Sequence, residues 1–199
     1  IQSGQDYDES ESIARQIARD NSLIFVPAFD DPLIIAGQGT IARELLEQVN
    51  DLDTVIVPVG GGGLIGGMAY WIKNHRPDIA LIGVQSEASS AMKVALEAGR
   101  VIETPIGETI ADGLAGRFVC ELTLDLVMRF VDDVVVVKEN DIREAIRFMI
   151  HDAQVIIEGS AAVGIAAILA EKINVENKKT GVILTGRNIS PSLISLLIN

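Results

Sequence analysis

The amino-acid sequence predicts an α/β fold: a doubly wound, mostly parallel sheet with helices on both faces. Three observations carry this expectation. Short β-branched runs such as Val55-Ile56-Val57 and Val134-Val135-Val136-Val137 alternate with longer stretches of helical periodicity, the order in which parallel strands are joined by crossover helices. The core must be aliphatic, because 48% of the residues are hydrophobic and only 4% aromatic. The stretch from Val55 to Tyr70 reads as a buried strand, four consecutive glycines and the start of a helix.

Ile1-Gln2-Ser3-Gly4 reads as a strand end entering a turn. Asp6 to Asp20 follows as a helix, with Ile13, Ala14, Ile17 and Ala18 on one face and acids in its first turn. Leu23-Ile24-Phe25-Val26 is expected to be a short strand stopped by Pro27, and Pro32 suits the start of the next helix. That helix is expected from Leu33 to Val49, interrupted near its start by Gly37-Gln38-Gly39-Thr40, since each interior glycine costs about 1 kcal/mol relative to alanine. After the glycine run and its helix, Ile79 to Val84 reads as a strand and Ser89 to Ala98 as a helix capped by Gly99.

Periodicity is lost from Arg100 to Arg117, and a loop of that length in a compact domain points to function. Glu121 to Phe130 is expected to be helical and Val134 to Val137 a strand. Glu139 or Asn140 is the expected cap of a helix burying Ile142, Ala145, Ile146 and Met149. Gly159 to Leu169 is rich in small residues and uncharged, so it should be buried on most sides, with Glu158 at its mouth as either a cap or a ligand contact. Thr180 to Leu184 is the last expected strand, followed by Thr185-Gly186-Arg187-Asn188 and a short apolar helix.

Composition narrows the classes of function. With 28 acidic against 16 basic residues the net charge is −12, which argues against nucleic acid as a partner, since a phosphate backbone calls for a basic surface. The longest uncharged run, Thr54 to Ile72, holds six glycines and a proline and is a poor membrane span. The single cysteine, Cys120, and two distant histidines form no disulfide and no zinc pattern. A cytoplasmic location is the default expectation.

The glycine run has a direct chemical reading. Glycines let several backbone N–H groups converge with no Cβ in the way, and a helix start adds unpaired donors and partial positive charge. A phosphate-bearing ligand is therefore expected. Gly61, Gly63 and Gly66 also satisfy the G-x-G-x-x-G dinucleotide pattern, with Glu87 near the spacing of a ribose-binding acid.

Taken together, Phe29-Asp30-Asp31-Pro32, Ala36-Gly37-Gln38-Gly39-Thr40, Val59-Gly60-Gly61-Gly62-Gly63-Leu64, Ile82-Gly83-Val84-Gln85-Ser86-Glu87, Ala111-Asp112-Gly113 and Glu158-Gly159-Ser160-Ala161-Ala162 resemble the threonine dehydratase and serine racemase family. These are pyridoxal 5'-phosphate (PLP) enzymes of fold type II, related to the tryptophan synthase β chain. The resemblance implies that Gly60, Gly61, Gly62, Gly63 and the Leu64 amide hold the cofactor phosphate. It places Gly113 beside the ring, Glu158 near the pyridine edge and Thr185 at the pyridine nitrogen. Where the family commonly has Ser-Gly-Gly-Asn, this chain has Thr185-Gly186-Arg187-Asn188, which leaves Arg187 either facing solvent or meeting a substrate carboxylate.

The family's Schiff-base lysine, in a Ser-Phe-Lys-type motif, has no counterpart among Lys73, Lys93, Lys138, Lys172, Lys178 and Lys179, which read as solvated. The chain is thus expected to be a C-terminal segment. Residues 1–26 would end a smaller domain and residues 27–199 would form the large phosphate-binding domain. The implied activity of the complete enzyme is dehydration and deamination of L-threonine or L-serine to a 2-oxo acid and ammonia, in a homodimer. Serine racemase is the alternative within the family, though Gln85 and Ala91 stand where a racemase cation site would have ligands. A noncatalytic module binding a phosphorylated small molecule is the alternative outside it. No regulatory domain is expected after Asn199.

Overall fold

The computed structural model describes residues 1–198; Asn199, the expected last residue of both the terminal helix and the larger domain, lies outside the described residues. Four strands form one parallel sheet in the order β3-β2-β1-β4, with β1 at Thr54–Pro58, β2 at Ala80–Ser86, β3 at Asp133–Val137 and β4 at Thr180–Val182. Alternation of side chains along β1 splits the core in two. Val55 and Val57 face helices α2 (Pro32–Gln48), α3 (Gly63–His75), α4 (Ala91–Ala98) and α5 (Glu121–Phe130). Ile56 faces the opposite layer of α6 (Glu139–His151), α7 (Gly159–Leu169) and α8 (Pro191–Ile198). This is the expected doubly wound arrangement. A further helix, α1 (Tyr7–Asp20), precedes the sheet and is capped by the Asp6 carboxylate, which accepts from the Glu9 amide.

Several expectations are corrected. Leu23 to Val26 forms no strand, and Leu23, Ile24 and Val26 are exposed, because among the described residues no strand lies beside it to take its backbone hydrogen bonds. Helix α2 runs without interruption through Gly37 and Gly39. The reason lies in α3: a Cβ on Gly39 would stand 2.9 Å from the Gly67 carbonyl oxygen, and one on Gly67 would stand 2.2 Å from that of Ile35. The two helices cross backbone to backbone, and that contact outweighs glycine's poor helix propensity. Lys138, rather than Glu139 or Asn140, caps α6, with its amide donating to Asp141.

Lys73 also departs from expectation. Its side chain is only 14% exposed and pairs with Asp132 while donating to the Ile79 carbonyl, pinning the amino edge of the sheet. Among the described residues no helix is long and apolar enough to cross a membrane.

Candidate functional site

Strand β1 runs into α3 through the glycine run at the carboxyl edge of the sheet. The crossover β1–α3–β2 lies on one face and the return from β3 to β4 on the other, so β1 and β4 flank the point where the winding reverses. In open α/β sheets a crevice forms there. Gly62 caps α3 with φ of 95°, a left-handed conformation that glycine adopts without strain. No side chain caps this end, which leaves the first N–H groups of α3 free to meet an anion.

A cavity of about 410 Å³ opens beside this loop, a size suited to a small cofactor. Gly60, Gly61, Gly62, Gly63, Leu64, Gly113, Glu158 and Thr185 all line it. The Phe29 ring lies against the glycine run, its edge 2.3 Å from where a Gly61 Cβ would stand. Tyr7 of α1 stands beside Phe29, with ring centres 6.3 Å apart, and its phenol is held protonated by burial and by a hydrogen bond to Glu11.

The wall opposite comes from the long aperiodic stretch, which is loop except for a short 3₁₀ turn at Asp112–Leu114. Side chains tie it down at three places. The Ser89 hydroxyl accepts from the Gly116 amide at 3.1 Å and donates toward the Leu114 and Gly116 carbonyls at 3.3 and 3.1 Å. Glu139 accepts from the hydroxyls of Ser86 and Thr109 and from the Ile110 amide. Arg117 pairs with Asp6, and its amide donates to Asp8 at 2.9 Å, joining the loop's end to α1.

Glu158 caps α7 through its main-chain carbonyl, which accepts from the amides of Ala161 and Ala162. Its side chain takes no part in the cap. The carboxylate turns instead toward the segment after β4, where it accepts from the Asn188 amide at 2.8 Å and fills the space a Gly186 side chain would need. Thr185 is exposed and stands at the cavity on the same segment. Arg187 is exposed and does not line the cavity. Glu87 is likewise exposed and away from it, accepting only a long 3.4 Å contact from the Glu139 amide, which removes the acid that the dinucleotide reading relied on. None of the six lysines lines the cavity.

Sequence reasoning missed Tyr7, Phe29, Leu114 and Ser160 as lining residues. Phe29 and Ser160 fall inside the motifs that carry the family resemblance, so a signal existed for them. Leu114 lies in the aperiodic stretch expected to be functional, and Tyr7 comes in only through tertiary contacts that no local pattern announces. Among the described residues no group of three or more His, Cys, Asp or Glu side chains is placed to hold a metal ion.

The family model described as "Pyridoxal-phosphate dependent enzyme" matches residues 1–186. An L-threonine ammonia-lyase of Thermotoga maritima is 41% identical over 199 residues, covering all of this chain and 49% of the relative. The catabolic L-threonine dehydratase of Escherichia coli K12 is 39% identical, covering 96% of this chain and 59% of that protein. Among solved structures, threonine deaminase isoform 2 of Solanum lycopersicum superposes with a TM-score of 0.90 at 33% identity, over 99% of this chain and 58% of its own. Maize serine racemase gives a TM-score of 0.90 at 32% identity, over 98% and 62%. The chain spans about half the length of the curated ammonia-lyases it matches.

Proposed function

Because this chain belongs to the pyridoxal-phosphate dependent enzyme family, we propose that the protein it is part of dehydrates and deaminates L-threonine or L-serine to a 2-oxo acid and ammonia. The observation that carries the proposal is the placing of the uncapped, glycine-lined start of α3 and of Thr185 around one cavity at the sheet's switch point. That cradle fits PLP. The Gly60 to Leu64 backbone would take the phosphate, Gly113 would lie against the ring, and Thr185 and Glu158 would stand at its far edge. When bound, the cofactor supplies an electron sink for the bonds at the substrate's α-carbon.

This chain's own residues bind and orient. Backbone donors hold the phosphate dianion without a salt bridge. The Thr185 hydroxyl can donate to a neutral ring nitrogen, whereas a carboxylate there would favour the protonated ring. The Glu158 carboxylate accepts from the Asn188 amide through one oxygen, which would orient it beside the ring. A lysine bonded to the cofactor aldehyde would come from the portion of the relatives' length that this chain does not span. Residues 1–26 would belong to the smaller domain of that protein, a homodimer is what the family resemblance implies, and a cytoplasmic location is the default expectation.

The full-length protein, incubated with L-threonine and L-serine, is expected to release 2-oxo acid. Thr185→Ala should alter cofactor affinity and absorbance, and Thr185→Asp should shift the absorbance toward that of the protonated ring and change the product partition. An unchanged spectrum, affinity and rate in Thr185→Ala would remove that residue from the ring. Since maize serine racemase is equally similar in fold, D-serine is measured in the same reaction, and its formation in excess of pyruvate would favour racemisation over dehydration.

A further inference from the structure

Ser160 is the second residue of α7 and is 3% exposed, yet its hydroxyl has no hydrogen-bond partner. Serine inside a helix ordinarily returns its hydroxyl to a main-chain carbonyl one turn back or points it to solvent. Ser160 does neither. The neighbouring positions Gly159, Ala161 and Ala162 are small and apolar, so an alanine would complete the buried face without the cost of an unpaired polar atom, about 1–3 kcal/mol.

The residue borders the cavity, with its hydroxyl buried at the wall. Ser160 lines it together with Glu158 and Thr185, and the Ser160 oxygen stands 2.8 Å from where a Gly113 Cβ would be. The Gly113 amide is not available to it, because that amide donates to the Asp112 carboxylate at 2.9 Å, and no hydrogen bond joins the Ser160 hydroxyl to Gly113. Ser160 also sits in the first turn of α7, where the helix adds partial positive charge. An orphaned hydroxyl thus stands in the cavity wall beside Glu158 and Gly113.

We infer that Ser160 is a further cofactor-binding residue, whose hydroxyl completes its hydrogen bonding on the polar edge of the PLP ring. The inference rests on the cofactor reading proposed above and adds to it a division of labour. Thr185 is exposed and exchanges its hydrogen bond with water when the ring binds. Ser160 has no water contact to give up, so its bond to the ring is a net gain made in a low-dielectric site. The hydroxyl lowers the stability of the ligand-free fold and is retained for the bound state.

That sign distinguishes Ser160 from a serine kept for the fold. In the full-length protein, Ser160→Ala is expected to weaken PLP binding about tenfold, leave inorganic phosphate binding unchanged, and leave the apoprotein's melting temperature equal or higher. Ser160→Cys fills the same space with a weak hydrogen-bonding group and should bind PLP as poorly as Ser160→Ala. If wild type binds PLP and Ser160→Ala binds it equally well, the inference falls while the cofactor reading stands. A drop in apoprotein stability with unchanged PLP affinity would make Ser160 a structural residue. Restored affinity in Ser160→Cys would assign the effect to packing and overturn the inference. A wild-type protein that binds no PLP overturns both readings.

Discussion

Ser89→Ala tests how the cavity wall is held. Ser89 is 1% exposed and its hydroxyl brackets the loop, accepting from the Gly116 amide and donating to one of two carbonyls. The methyl of alanine replaces none of this. A buried donor left without its partner costs about 1–3 kcal/mol; the carbonyl side counts once, because one proton serves one acceptor at a time. Taking about 2 kcal/mol, and about 2–4 °C per kcal/mol for a chain of this size, the melting temperature should fall by roughly 4–8 °C. The same loop carries Gly113 against the cavity, so PLP affinity should fall too, by at most the roughly thirtyfold equivalent of that energy. Thermal melts, PLP titration and limited proteolysis between residues 100 and 118 measure the three consequences. A Tm within about 1 °C of wild type together with unchanged PLP affinity and proteolysis would refute the clamp.

Gly67→Ala should destabilise by about 3 kcal/mol or more, because its Cβ would meet backbone atoms of Ile35 and Gly39 at 2.2 and 2.8 Å that cannot rotate away. Gly37→Ala is the control: nothing lies within 4 Å of its Cβ, so urea denaturation should show a gain of up to about 1 kcal/mol from helix propensity. Cys120 offers a pH test, because burial, aided by a hydrogen bond to Asp30, pushes its thiol from 9.0 up to about 12. The folded state thus keeps a proton that the unfolded state releases, so this contribution to stability is complete below pH 9 and lost as pH rises toward 12. Iodoacetamide should label native Cys120 far more slowly than the urea-unfolded chain at pH 8.5, and Cys120→Ala should flatten the fall in stability at alkaline pH; equal labelling rates would discard the shift.

The sheet was legible because Val55 to Val57 and Val134 to Val137 are β-branched and bounded by turn residues, and α5, α6 and α7 announced themselves by which positions were apolar. What the sequence could not show were the effects that depend on a distant partner. Leu23 to Val26 has strand composition, but composition does not supply a neighbour. Gly37 and Gly39 look alike as helix breakers, yet only Gly39 meets another helix. The glycine run, Gly113, Glu158 and Thr185 could be singled out from local motifs and resemblance. Ser89 and Glu139 act across 27 and 29 residues, as holders of a loop, and no periodicity marks such a role. Ser160 stood within a family-like motif, but an unpartnered hydroxyl is a property of three-dimensional surroundings.

The shortness of β4 bears on the order in which the cavity comes and goes. Three residues pair with β1 from a sequence distance of 126, Thr54 with Thr180, and contacts so remote in the chain close late in folding, after the local β1–α3–β2 unit can already exist. Thr185 follows directly on that pairing, with the Ile183 amide bonded to the Ile56 carbonyl at 3.0 Å. Fraying of this one edge would carry Thr185 out of register while the glycine run stayed folded. Amide exchange should therefore find Val182 and Ile183 opening more often than Val57, and a bound ring that bridges the two edges would slow exchange at β4 first. Cofactor occupancy would then act as a latch on the last strand to arrive, coupling retention of the cofactor to the integrity of the chain's C-terminal quarter.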